Sequence, residues 1–115
     1  MDKKELEGKL SKLMDDVPEI EGLIALDKKG SIIVGQTLLE MDLAPIAKAT
    51  FEMFSRSREL ARLAGKGNIQ AINMALDTGS CCIVGNDDIT VISMQGDDAT
   101  NSIALILRYM KGMLA

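Results

Sequence analysis

The sequence predicts an α/β fold. The expected form is a three-layer α/β/α sandwich around a five-stranded mixed or antiparallel sheet, in the order α-β-β-α-β-β-β-α. Three observations carry this. Apolar residues recur at helical spacing near both ends of the chain and across its middle. Between those stretches stand short runs rich in Ile, Val and Leu, bounded by Gly, Asp and Asn. Several of these runs are apolar on both sides, which is the mark of strands covered on both faces. The 115 residues have the size of one domain, spanning 1–115, with no linker and no internal repeat.

The first helix starts at Asp2, with Glu5 in the position of a capping box. Leu6, Leu10, Leu13, Met14 and Val17 form one narrow stripe, so this helix has a single burial partner. Asp15, Asp16 and Pro18 end it. Residues 21–27 (EGLIALD) and 31–36 (SIIVGQ) read as a hairpin closed by Asp27-Lys28-Lys29-Gly30, with Gly30 at positive φ. A long helix follows, capped at Asp42 or Ala44, with Pro45 in its first turn and Gly65 as a left-handed cap at its end. Three strands come next: 68–77, 80–85 and 89–95. Thr78-Gly79 and Asn86-Asp87-Asp88 are the turns of this meander. The last helix is expected over 99–114, with Asp97 or Asp98 as its N-cap. Ile103, Ile106, Leu107, Met110, Met113 and Leu114 face inward, and Arg108 and Lys111 face water. If 21–27 pairs with 89–95, the sheet edges are 31–36 and 68–77. The second of these is a long, nearly neutral edge of the kind that pairs with something unless protected.

The long helix, LAPIAKATFEMFSRSRELARLA over Leu43–Ala64, carries more apolar surface than one chain can bury. At about 100° per residue, Leu43, Ala44, Ala47, Phe51, Phe54 and Ala61 cover one sector. Ile46, Ala49, Met53, Leu60 and Ala64 cover the sector beside it. Together they span about 220°, where a helix on a core needs little more than about 100°. Lys48, Glu52, Ser55, Arg56, Glu59 and Arg62 fill the remaining arc, with Leu63 among them. Lys48, Glu52 and Arg56 are spaced to pair. The other two helices are needed on the opposite face of the sheet, so the second apolar sector asks for another molecule.

Catalysis has little to work with. The chain has no His, which removes Ser–His and Cys–His nucleophile pairs and the commonest metal ligand. The acidic pairs lie at turns and caps and follow no calcium-loop spacing. Gly65-Lys66-Gly67-Asn68 lacks the spacing of a phosphate loop and stands at the wrong end of a helix dipole. No catalytic, cofactor-binding or metal-binding residue is therefore assigned, and no cofactor is expected. The net charge is −4 and no basic run occurs, which argues against nucleic acid. Cys81 and Cys82 are adjacent and read as reduced core thiols, which fits the cytoplasm. The charged N-terminus is no signal peptide, and no apolar run approaches a membrane span, so no membrane insertion is expected.

The apolar strand, Asp-x-x-Gly turn and second strand in GLIALDKKGSIIVGQ, the Ala-rich helix, and the meander SCCIVGNDDITVISM resemble the Roadblock family, the dynein light chain Roadblock-type domain related to longin domains. The resemblance spans about residues 2–114. It implies an α/β/α sandwich that forms homo- or heterodimers, with central helices packed antiparallel and edge strands joining two sheets. It implies a scaffold or regulator that binds a small Ras-like GTPase rather than an enzyme. Mapped on this chain, the dimer interface is expected at Ile46, Ala49, Met53, Leu60, Ala64, Ile69, Ala71 and Asn73. The partner-facing surface is expected at Lys48, Glu52, Arg56 and Glu59. Arg56, Arg58 and Arg62 are the candidates for a donated arginine. The alternative is a PAS- or profilin-like module for a small ligand or peptide. Only Asn73, Thr90 and Ser93 interrupt the strands with the inward polar groups such a module needs.

Overall fold

The computed structural model describes residues 2–114. Helix α1 (Lys3–Asp16) leads into strands β1 (Ile20–Leu26) and β2 (Ile32–Thr37). Helix α2 (Leu43–Ala64) is followed by β3 (Ile72–Leu76), β4 (Gly79–Gly85) and β5 (Thr90–Gln95). A 3-10 turn (Asp97–Ser102) precedes α3 (Ile103–Met113). The strands form one sheet in the order β2-β1-β5-β4-β3, and every neighbouring pair is antiparallel. The two most deeply buried strands, β1 and β5, pair at the centre, with Ile24 opposite Ile92. The edges are therefore β2 and β3.

Local chemistry explains the element ends. Asp2 Oδ1 accepts the Glu5 N–H at 2.7 Å, and Asp42, rather than Ala44, caps α2 by accepting the Ala44 N–H at 3.3 Å. Gly65 stands at φ 68° and its N–H returns to the Arg62 carbonyl, which stops α2. In the β1–β2 turn, Asp27 Oδ1 accepts the N–H groups of Lys29 and Ser31, and Gly30 takes φ 87°.

The two faces of the sheet are covered unequally. Leu6, Leu10, Leu13 and Val17 from α1 and its end, with Ile106, Met110 and Met113 from α3, bury against Leu23, Ala25, Cys82, Val84 and Val91. On the other face α2 stands alone. Ala47 and Phe54 meet Ile24, Leu26, Ile83 and Ile92, with Leu43, Ile46 and Phe51 half-buried around them. One helix about 10 Å wide cannot cover five strands spaced nearly 5 Å apart.

Two expectations need correction. The last helix does not run unbroken over 99–114. Residues Asp97–Ser102 tighten into a 3-10 turn, and neither Asp97 nor Asp98 caps a helix. Thr100 hydrogen-bonds the Asp97 carbonyl at 2.8 Å, and Thr-Asn-Ser side chains of this kind compete with helical backbone bonds. The edge strand is five residues long, not the ten of 68–77. Ile69 turns into the α2 core and Ala71 into the α1–α3 core, so the two-residue alternation of a strand fails there. Thr50, which the sequence left unassigned, is a buried member of α2's inward face, its hydroxyl donating to the Ile46 carbonyl at 2.7 Å.

Candidate functional site

The outward half of α2 and the sheet beside it form the most unusual surface. Along one flank stand Ala49, Met53, Leu60 and Ala64, all exposed, with Leu60 at 67% and Met53 at 39%. Ile46 is different: it packs on the chain's own core and is half-buried. Leu63 lies next to this flank and is 70% exposed.

The sheet surface on α2's side continues this patch. Met74 of β3 lies opposite Cys81 of β4, and Cys81 opposite Met94 of β5. All three are half-buried, and Leu76 at the strand end is 54% exposed. Gly22 completes the row on β1. A Cβ there would meet the Met94 methyl at 2.8 Å, so the missing side chain makes room for Met94. This soft, sulfur-rich strip adapts its shape to a partner more readily than branched side chains do.

The remaining expected interface residues are dispersed. Ile69 is half-buried in the α2 core. Ala71 and Asn73 belong to the opposite face of the sheet, Asn73 beside Cys82 with its Oδ1 3.8 Å from the thiol. The structure thus keeps Ile46, Ala49, Met53, Leu60 and Ala64 on one flank of α2, with Ile46 its half-buried member, and sets Ile69, Ala71 and Asn73 apart from them. Met74, Leu76, Cys81 and Met94 were missed. Their signal was the alternation Ile72, Met74, Leu76. What it did not carry was that α2 stops short of that part of the sheet.

The polar arc of α2 is exposed at Lys48, Glu52, Arg56 and Glu59. Its pairing differs from the i,i+4 ladder expected of Lys48, Glu52 and Arg56. Arg56 instead bridges Glu59 at 2.9 Å, and neither Lys48 nor Glu52 joins an ion pair among the described residues. Arg58 is committed to the fold. Its guanidinium lies 5.2 Å over the Phe54 ring and donates to the Asn86 carbonyl and to Asp87. Beyond it, an open cleft of about 930 Å³ separates the end of α2 from the end of α3, with Arg62 and Lys111 on its walls.

Burial pushes both the Cys81 and Cys82 thiols up from their ordinary value, the opposite of a reactive thiolate. Among the described residues, no three His, Cys, Asp or Glu side chains gather as metal ligands would, and no helix is long and apolar enough to cross a membrane.

No protein-family model matches the sequence, and no curated protein matches it. Solved structures do. MglB of Myxococcus xanthus superposes with a TM-score of 0.85 at 13% identity, over 96% of this chain and 85% of that one. The gliding protein MglB of Thermus thermophilus gives 0.83 at 14%, over 97% and 87%. A Roadblock/LC7 domain from Streptomyces avermitilis gives 0.68 at 18%, over 89% and 91%. At such identities the likeness is one of architecture: this chain has the Roadblock/LC7 fold.

Proposed function

We propose that this chain is a non-catalytic, dimeric scaffold or regulator that binds a small Ras-like GTPase in the cytoplasm. The observation that carries the reading is the apolar strip on the face that α2 covers alone, with Ala49, Met53 and Leu60 exposed and Met74, Cys81 and Met94 only half-buried. A second copy, or a sister chain, laid antiparallel over that strip would bury both flanks and bring the two β3 edges together. Roadblock domains, which this sequence resembles, dimerise in this way and bind such GTPases. The folds shared with MglB support the same class of protein. The charged arc of α2, with Lys48, Glu52, Arg56 and Glu59, would then be presented twice on one surface. Mixed charge of this kind sets register and specificity more than raw affinity. Arg58 is already engaged by Phe54, Asn86 and Asp87 and Arg56 by Glu59, which leaves Arg62 as the candidate for a donated arginine; our reading is that any effect on hydrolysis comes through the GTPase's own switch loops.

The test is direct binding of GTP- and GDP-loaded Ras-like GTPases from the same genome, with Glu52→Arg and Arg56→Glu variants beside the parent. Binding by the parent that both reversals weaken supports the platform. No binding by the parent, at concentrations where it is dimeric, ends this reading. Binding indifferent to both reversals moves the partner off the α2 arc.

A further inference from the structure

The opposite flank of α2 has a different character. Between its N-terminal half and the β1–β2 turn lies a shallow cleft of about 330 Å³. Its floor is apolar, made by Ile32, Ala44 and the half-buried ring of Phe51. Lys29 stands on one wall and Lys48 on the other, and no carboxylate lines it. In a chain with 17 acidic residues against 13 basic ones, that is a local reversal of charge. Neither lysine joins an ion pair among the described residues. The nearest carboxylate in the turn, Asp27, is occupied by the N–H groups of Lys29 and Ser31. Lys28, beside them, borders a smaller and separate hollow that shares Phe51 but is also lined by Asp87 and Asp88, so the reversal of charge is confined to the cleft of Lys29 and Lys48.

The backbone adds a second feature. β2 is an edge of the sheet, and Ile32–Thr37 contains neither a charge nor a proline. Such an edge is a template for another strand. Ile32, where β2 begins, is 40% exposed and belongs to the cleft floor. Gly30 shapes that floor: a Cβ there would come within 2.8 Å of the Phe51 ring, and φ of 87° excludes other residues without strain.

We propose that an extended acidic segment of a partner protein docks here as an added strand along β2. One apolar side chain fills the floor formed by Ile32 and Phe51, and flanking carboxylates pair with Lys29 and Lys48. Backbone pairing supplies affinity and the cleft supplies selectivity. The site lies more than about 100° round α2 from Met53 and Leu60. It therefore stays open in the dimer proposed above; it shares Lys48 with the charged arc, so a GTPase seated on that arc would compete with the segment rather than be needed for it.

The probe is a fluorescein-labelled, amidated peptide, Glu-Asp-Leu-Val-Glu-Leu-Asp-Glu, titrated with the parent protein and followed by anisotropy at low and high salt. Saturable binding that weakens with salt is expected. A Lys29→Glu, Lys48→Glu double variant should bind about tenfold or more weakly, since each exposed charge contact contributes up to a few-fold. Both lysines are exposed, so the variant should give the parent's unfolding midpoint in urea. N-methylation of alternate peptide bonds should also weaken binding. The reversal Glu52→Arg, on the neighbouring arc, should not weaken it. The proposal is overturned if the parent does not bind the peptide at about 1 mM. Equal binding of a lysine-for-acid peptide, or of the double variant, would do the same. So would binding indifferent to N-methylation. No GTPase is present in this assay, so its failure leaves the platform reading standing, and the failure of that reading leaves this one.

Discussion

Asn86 shows how much one side chain organises. Its Oδ1 accepts the N–H groups of Asp88 at 2.8 Å and Ile89 at 2.9 Å, its Nδ2 donates to the Leu114 carbonyl at 3.2 Å, and its own carbonyl accepts from Arg58. Both helical layers are thus tied to one β-turn. Asn86→Ala should cost about 1–2 kcal/mol, and Asn86→Asp, which keeps the acceptor, should cost less; urea unfolding of both at pH 7 checks this. Asp27 makes a pH-dependent contribution. The Ser31 N–H, and then the Lys29 N–H, hold its carboxyl below its ordinary value of 3.8. A depressed carboxylate stabilises the fold above its unfolded value and loses that contribution as pH falls through the lower, folded one. Unfolding midpoints should therefore drop between pH 5 and pH 3 by less in Asp27→Asn than in the parent. That asparagine cannot protonate but still accepts in the turn.

At the scale of an element, α2 separates into a buried line and an exposed flank, and substitutions should separate the same way. Phe54 lies under Arg58 and against Gly85, where a Cβ would come within 2.7 Å of its ring. Phe54→Ala should lower stability by about 3–5 kcal/mol. Met53→Glu and Leu60→Glu should change the stability of an isolated chain by less than about 0.5 kcal/mol, yet dissociate the proposed dimer by burying an unpaired carboxylate. Light scattering against concentration, alongside urea unfolding, reads both quantities; a parent that is monomeric at micromolar concentration would sink the dimer. The boundaries of α2 were legible because Asp42 and Gly65 are strong local signals. Those of the last helix and of β3 were not. Thr100 diverts backbone bonds, and Ile69 and Ala71 answer to two different cores.

The whole molecule is lopsided: two helices cover one face of the sheet and one covers the other. Cys81 and Cys82 report on the two faces. Cys82 is fully buried under α1 and α3, while Cys81 lies half-buried in the open sulfur row. Both thiols are pushed up by burial, so alkylation by iodoacetamide should be slow at pH 7 and rise above the ordinary thiol range. Mass spectrometry should find Cys81 modified first. Cys81 should also react faster in Met53→Glu than in the parent, if a second molecule covers it. Equal rates in the two proteins would place the dimer contact elsewhere.

By itself the sequence determined the element order and the excess of apolar surface on Leu43–Ala64, and it offered the pairing of 21–27 with 89–95 as a condition that the sheet order then met. These follow from periodicity and turn chemistry, which act over a few residues and are written locally. Only the tertiary structure decided where the excess goes. Ile46 and Met53 sit in the same helical sector, yet the path of α2 across the sheet half-buries one against the core and exposes the other. The same path leaves Met74, Cys81 and Met94 only half-covered. It also sets Lys29 and Lys48, 19 positions apart in the chain, on two walls of one cleft. Position along a helix is a local property. What stands opposite it depends on the crossing of helix and sheet, which is settled by packing among residues far apart in the chain.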